Sequence, residues 1–204
     1  MKKIIKKIIP LFLINGYHWL LAFLGALYYQ FPSRKLIVIG ITGTKGKSST
    51  LFLTSKILEA AGFRVNWISS LSIKCCNQEI LNPFHMTMPG RFYIQKALSK
   101  AIKFGCDYFL IEVTSEGIKQ HRHRFIDFDV AVFTNLAPEH IETHGGFENY
   151  KKAKGELFKS LKKSFYKTIK SIKIPKIIIA NIDDDHCSYF FNFGADKKIG
   201  FGFN

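Results

Sequence analysis

The sequence predicts an α/β domain with a mostly parallel sheet, and three observations carry that prediction. Short runs rich in Ile, Val and Phe alternate along the chain with longer stretches of helical period. The segment "GITGTKGKSST", residues 40 to 50, joins the first such run to the first such helix. Gly62 and Gly105 follow two of the helical stretches, the position where glycine ends a helix.

Each element can be justified in turn. Residues 8 to 31 carry no Asp, Glu, Lys or Arg, just enough for a helix to cross a hydrocarbon core. Lysines at 2, 3, 6 and 7 precede this stretch, and Arg34 and Lys35 follow it. "YYQFPSR" offers no small-residue cleavage site, so residues 1–35 read as a retained, membrane-associated basic and hydrophobic segment rather than a signal peptide. Pro10, Asn15 and Gly16 interrupt it, and Tyr17, Trp19, Tyr28 and Tyr29 edge it, so it either spans the membrane or lies in the interface. A buried core helix is the competing structural reading.

"KLIVIGIT" then reads as a strand, "SSTLFLTSKILEAAG" as a helix and "FRVNWIS" as a second strand. "GRFYIQKALSKAIKFG" has helical period, while "DYFLIEV" and "FDVAVFTN" read as buried strands. The helix "FENYKKAKGELFKSLKK" and the strand "KIIIAN" complete the alternation. The closing "KKIGFGFN" reads as a strand that has barely begun, so the domain spanning residues 36–204 is expected to be incomplete at its C-terminus.

Composition narrows the function classes. A chain of 204 residues with 47% hydrophobic content has room for one sizeable core, which argues against disorder. The formal charge of +15 attracts polyanions without selecting one. No RNA-binding aromatic motif, zinc-finger spacing or Arg-rich arm is present, so nucleic acid is not an expected partner. The cysteines, Cys75, Cys76, Cys106 and Cys187, contain no C-x-x-C pair and read as core residues of a protein in a reducing compartment.

The glycine-rich segment departs from the strict P-loop pattern, because Ile41 stands where the first glycine belongs. Its context still suits phosphate. Gly43 and Gly46 let backbone approach an anion, the helix starting near Ser48 points its N–H groups at it, and Lys47 supplies a point charge. Ser48 is placed to hold Mg²⁺, and Glu112 closes a strand at the sheet edge where ligands of open α/β sheets bind. "TNLAPEHIETHGG" brings Glu139, His140, Glu142 and His144 to that edge, an imidazole among carboxylates able to complete a second metal site. On the helix from Phe147 to Lys163, Lys154 falls in the middle of the apolar face. A buried ammonium is costly, so Lys154 is either functional or reaches out to the helix edge.

The ordered set "GTKGKSS", "TMPGR", "EVTSEG", "FDVAVFTNLAPEH", "HGGFENYKKAKGELF" and "NIDDD" resembles the central ATPase domain of the Mur ligases, most nearly the MurE type, over residues 36 to 204. The resemblance implies that Gly43, Thr44, Lys45, Gly46, Lys47, Ser48 and Ser49 hold the phosphates of ATP. Ser48 and Glu112 would then bind a first Mg²⁺ and His140 a second. Lys154 matches a lysine carbamylated by CO₂, Asn181 and Asp184 the adenosine region, and Thr87, Thr114 and Arg122 the contacts to a muramoyl peptide. The implied reaction makes an acyl phosphate on a UDP-N-acetylmuramoyl-peptide-like carboxylate, which the amine of an amino acid displaces during peptidoglycan synthesis.

Met88, Glu116 and Glu139 depart from the family's usual Thr, His and Asp. The family's uridine-binding domain is replaced here by the hydrophobic segment, so a chain of this extent is not expected to complete a ligation. A cytoplasmic protein at the inner face of the membrane follows. The alternatives are a folylpolyglutamate or cyanophycin synthetase relative, or a non-catalytic membrane-anchored nucleotide-binding module.

Overall fold

The computed structural model describes residues 10–76, 78–84, 86–139 and 141–203. Its centre is β1 (Ile37–Thr42), whose β-branched residues suit a strand buried on both faces. Strand β1 pairs in parallel with β5 (Tyr108–Glu112) on one side and β6 (Val130–Phe133) on the other. Beyond β6 lie β9 (Ile177–Asn181) and β10 (Lys197–Phe201), both parallel. Beyond β5 lies β2 (Val65–Ile68), again parallel, followed by the antiparallel strands β3 (Ser72–Cys75) and β4 (Gln78–Leu81). The order is therefore β10-β9-β6-β1-β5-β2-β3-β4, and its two halves diverge from β1.

Helices cover both faces. Helix α2 (Lys47–Ala60) buries Leu51 against Ile39, Ile41, Val65, Trp67 and Leu110. The opposite face carries α3 (Arg91–Lys103) and α6 (Phe147–Lys163) over a core that includes Val38, Ile68, Phe109, Phe128, Phe133 and Phe158. Each such side chain contributes roughly 1.5–3 kcal/mol by leaving water. Gly40 permits the close approach of α6, since a Cβ there would meet Phe128 at 2.8 Å and Leu157 at 2.9 Å.

Every strand and helix the sequence predicts beyond residue 35 is present, and "KKIGFGFN" supplies the five-residue strand β10. The structure adds the β3–β4 hairpin and the short helices α4 (Ser115–Lys119), α5 (Ile141–His144) and α7 (Cys187–Phe191). It also adds the ribbon of β7 (Thr168–Ile169) and β8 (Ile172–Lys173). Lys170 and Ser171 make the ribbon's two-residue turn at φ 49° and 66°. Both values are positive, as a type I′ turn requires, but the residues are not the Asn-Gly that announces one.

The hydrophobic N-terminal stretch forms α1 (Leu11–Tyr28), which docks on α3. Ala22 and Ala26 are buried there, and Gly25 sits 3.5 Å from Phe92 where a Cβ would stand. The rings of Trp19 and Phe23 meet Phe125 at 5.3 and 5.4 Å. Phe12, Leu13, Leu20, Leu24 and Leu27 are exposed. Among the described residues no helix is long and apolar enough to cross a membrane.

At the strand-entry end of the sheet, the buried carboxylate of Asp129 accepts from the Val38 amide at 2.9 Å and from Lys176 Nζ at 2.9 Å. It also accepts from Lys167 Nζ. The two ammonium groups complete their shells on backbone carbonyls: Leu36 and Asp127 for Lys167, Phe128 and Phe165 for Lys176. One carboxylate thus ties together the starts of three strands and the ribbon.

Candidate active site at the switch point of the sheet

The other end of β1 runs into the glycine-rich loop, at the point where the strand order diverges and open α/β sheets place their ligands. Gly43 has φ 153° and lies so close to Thr134 that a Cβ would stand 1.9 Å from its hydroxyl oxygen. Gly46, at φ 78°, turns the chain into α2. The segment after β6 holds the loop. Asn135 accepts from the Lys45 amide at 2.9 Å and donates to the Lys45 carbonyl at 3.0 Å, and its own carbonyl accepts from the Thr44 amide at 2.9 Å.

Lys47 folds back over the loop and donates to the carbonyls of Gly43 and Thr44 at 3.0 and 2.8 Å. Burial lowers its pKa, opposed by the negative charges of Glu112 and Glu139. Glu112, at the end of β5, is buried and accepts from the Ser70 amide at 2.9 Å. The Ser70 hydroxyl lies 3.0 Å from that of Ser48, so Glu112, Ser70 and Ser48 form a chain of hard oxygen atoms beside the loop.

Lys154 does not reach out to the helix edge. It is 2% exposed, its Nζ donates to the Gly43 carbonyl at 2.7 Å, and it lies over the Tyr150 ring at 4.4 Å. Tyr150 in turn meets the Thr44 hydroxyl at 3.2 Å. Burial first, then the neighbouring Lys47 charge, push the Lys154 pKa down to about 7, against the pull of Glu139.

A cavity of about 680 Å³ unites these groups, within the size range of small-molecule sites. Thr44, Lys45, Gly46, Lys47, Ser48, Glu112 and Lys154 line it, as do Thr87, Thr114 and Arg122. Thr114 caps α4 by accepting from the Gly117 amide at 3.1 Å. Arg122 donates to the Met88 carbonyl and, at 2.6 Å, to the Gln120 side chain. Of the residues expected from the sequence, Gly43, Ser49, Asn181 and Asp184 do not line this cavity. Ser49 is exposed in the first turn of α2 and does not line the cavity. Asn181 and Asp184 do not line it either; they brace the segment behind the loop, through the Thr134 carbonyl at 3.0 Å and the Leu136 amide at 2.8 Å. His140 lies outside the described residues.

Ser70, Gln120, Asn135 and Tyr150 were not predicted as site residues. Tyr150 stands one turn before Lys154 on the same helix face, which was a usable signal, and Asn135 lies two residues past the end of β6 in the quoted "TNLAPEH". Ser70 sits in a hairpin that the sequence does not announce.

A family model for the Mur ligase middle domain matches residues 41–204. This chain belongs to that family. As a Mur ligase middle domain it is 35% identical over 182 residues to UDP-N-acetylmuramoyl-L-alanyl-D-glutamate--2,6-diaminopimelate ligase 1 of Clostridium acetobutylicum, covering 89% of this chain and 34% of that protein. A solved structure of a UDP-N-acetylmuramoyl-L-alanyl-D-glutamate--2,6-diaminopimelate ligase superposes with TM-score 0.62 at 26% identity, over 82% of this chain and 32% of the other. Mycobacterium tuberculosis folylpolyglutamate synthase complexed with ADP superposes with TM-score 0.56 at 14% identity, over 86% of this chain and 44% of the other, a likeness of fold alone. The chain spans about a third of the length of the curated relatives it matches.

Proposed function

We propose that residues 36–204 are the ATP-binding domain of a cytoplasmic Mur-family acid–amino acid ligase. The reaction is activation of a carboxylate on a UDP-N-acetylmuramoyl-peptide-like substrate as an acyl phosphate, followed by displacement of phosphate by an amino acid amine. The buried Lys154 amine, 2.7 Å from the carbonyl of the phosphate loop and in one cavity with Lys47 and Glu112, carries this reading. A phosphate loop alone needs no second buried amine.

With a pKa of about 7, a large fraction of Lys154 is uncharged at neutral pH. The neutral nitrogen attacks the carbon of CO₂, loses one proton and becomes a carbamate, whose negative charge answers the nearby Lys47. Burial of an isolated ammonium is thereby relieved.

The backbone of the loop and Lys47 hold the phosphates, with the Lys47 ammonium exchanging its two carbonyl acceptors for phosphate oxygens. Ser48 and Glu112 are oxygen donors of the kind Mg²⁺ takes together with nucleotide phosphates, and by sequence His140 would serve a second ion. When bound there, Mg²⁺ would supply charge neutralisation for phosphoryl transfer. Thr87, Thr114 and Arg122 face the same space and orient the anionic peptide.

In the complete ligase, Lys154→Ala is expected to cut turnover about a hundredfold or more while ATP affinity stays within about twofold. Labelled bicarbonate should give a carbamate ¹³C signal in the wild type that is missing from the variant. Full turnover in Lys154→Ala would remove the carbamate and the reading built on it.

Association of residues 1–35 with the inner face of a cell membrane belongs to the same proposal. It is supported by the exposed apolar side chains of α1 and by the lysines at 2, 3, 6 and 7. The protein is expected to float with anionic vesicles at low salt, and Leu20→Ser/Leu24→Ser/Leu27→Ser to stay in the soluble fraction. Absence of the wild type from the vesicle layer would discard this part.

A further inference from the structure

A second hollow, larger than the one around the phosphate loop, opens between α3 and the β2–β3 pair, with a volume of about 900 Å³. Phe63, Arg64, Phe104 and Cys106, which lead into β2 and β5, line it, so it opens at the strand-entry end of the sheet, away from the candidate active site.

Asn66 is its most informative residue. Along β2, Val65 and Trp67 join the core under α2 while Ile68 joins the core under α3, so strand alternation turns Asn66 toward α3 and the hollow. It is 1% exposed. Its Oδ1 accepts from the Cys76 amide at 2.8 Å, which fixes the orientation of the side chain and supports the left-handed turn at Cys76. Its Nδ2 is buried with no hydrogen-bond partner among the described residues. A buried donor left open in this way is costly and therefore informative.

The surrounding charges point to what would satisfy it. Lys74 is engaged by Glu59, and Arg64 donates to the Phe104 carbonyl at 3.3 Å. Lys96 and Lys100 stand one turn apart on α3, both exposed and lining the hollow, and among the described residues no ion pair engages either one. Ile73 and Ala97, both in the core under α3, give the hollow a buried apolar floor. Two unengaged cations and an open amide donor above an apolar floor match a molecule with an anionic head and an apolar body.

We propose that this hollow binds a small organic anion, its carboxylate or phosphate taken by Lys96, Lys100 and the Asn66 amide and its apolar body laid on Ile73 and Ala97. The site is separate from the phosphate loop and does not depend on the ligase reading.

The probe is 8-anilinonaphthalene-1-sulfonate, which joins an anionic head to an aromatic body, titrated by fluorescence at low salt. Lys96→Ala/Lys100→Ala, both surface changes, and the near-isosteric Asn66→Asp are each expected to raise its Kd about tenfold. Lys47→Ala should leave that Kd unchanged. N-ethylmaleimide labelling followed by peptide mass mapping supplies the location: the dye should protect Cys75, Cys76 and Cys106, which line the hollow, but not Cys187. Displacement by inorganic phosphate would assign a phosphoryl head, and displacement by glutarate a carboxylate. An unchanged Kd in both cavity variants, sensitivity to Lys47→Ala alone, unprotected cavity cysteines, or displacement by neither anion would each overturn the proposal.

Discussion

The two ends of β1 bury lysines in opposite ways. At the strand-entry end, Lys167 and Lys176 both reach the carboxylate of Asp129 and finish their shells on carbonyl oxygens. At the loop end, Lys154 and Lys47 hold only carbonyl oxygens, and Glu112 and Glu139 act on Lys47 through charge without a hydrogen bond. Burial is similar, since Lys167 is 1% and Lys154 2% exposed. The difference lies in the partner. A buried amine given a carboxylate is part of the framework, whereas one given only dipoles stays available for chemistry.

The sharpest way to break this comparison is to remove the framework carboxylate. Asp129→Ala leaves two ammonium groups buried beside each other and is expected to cost about 3–5 kcal/mol in urea denaturation. A loss under about 1 kcal/mol would show that the carbonyl shells suffice and that the two ends do not differ in kind.

A smaller effect, in the pH dependence of stability, sharpens it. Burial lowers the folded pKa of Lys154 to about 7 and that of Lys167 to about 8, both from 10.5. The unfolded chain therefore holds these protons over a range where the folded chain has released them, and stability rises with pH from about 7 upward. The slope is at most about 1.4 kcal/mol per pH unit for each group. Above pH 9 the half-buried Cys76 thiol, raised to about 11 by desolvation and by its Cys75 neighbour, opposes the trend, because the unfolded thiol ionises first. Lys154→Met should erase the part of the rise that begins near pH 7 and leave the part that begins near 8. An unchanged profile in that variant would mean that Lys154 keeps an ordinary pKa in the folded protein.

Much of the fold was legible because its parallel strands are buried on both faces and read as plain apolar runs, as in "KLIVIGIT" and "DYFLIEV". The β3–β4 hairpin was not, since β4 is fully exposed and carries no alternation. Within the site, Lys154 announced itself by interrupting an apolar helix face, and Glu112 by ending a strand. Asn181 and Asp184 were assigned to the adenosine region from a motif, and the contacts they make in the fold, to the segment behind the phosphate loop, are not readable from that motif. Which side of that segment a polar side chain faces is set by tertiary packing, which linear spacing does not encode.

The contact of Trp19 and Phe23 with Phe125 carries an evolutionary consequence. Phe125 lies three residues after Arg122, in a stretch pinned by left-handed residues at His121 and Phe125. The aromatic face of α1 thus supports the wall of the cavity from outside. Sequence drift in α1 is not free for that reason: lineages that change Trp19 or Phe23 should carry compensating changes at Phe125, and the two segments should covary as one unit although about a hundred residues separate them.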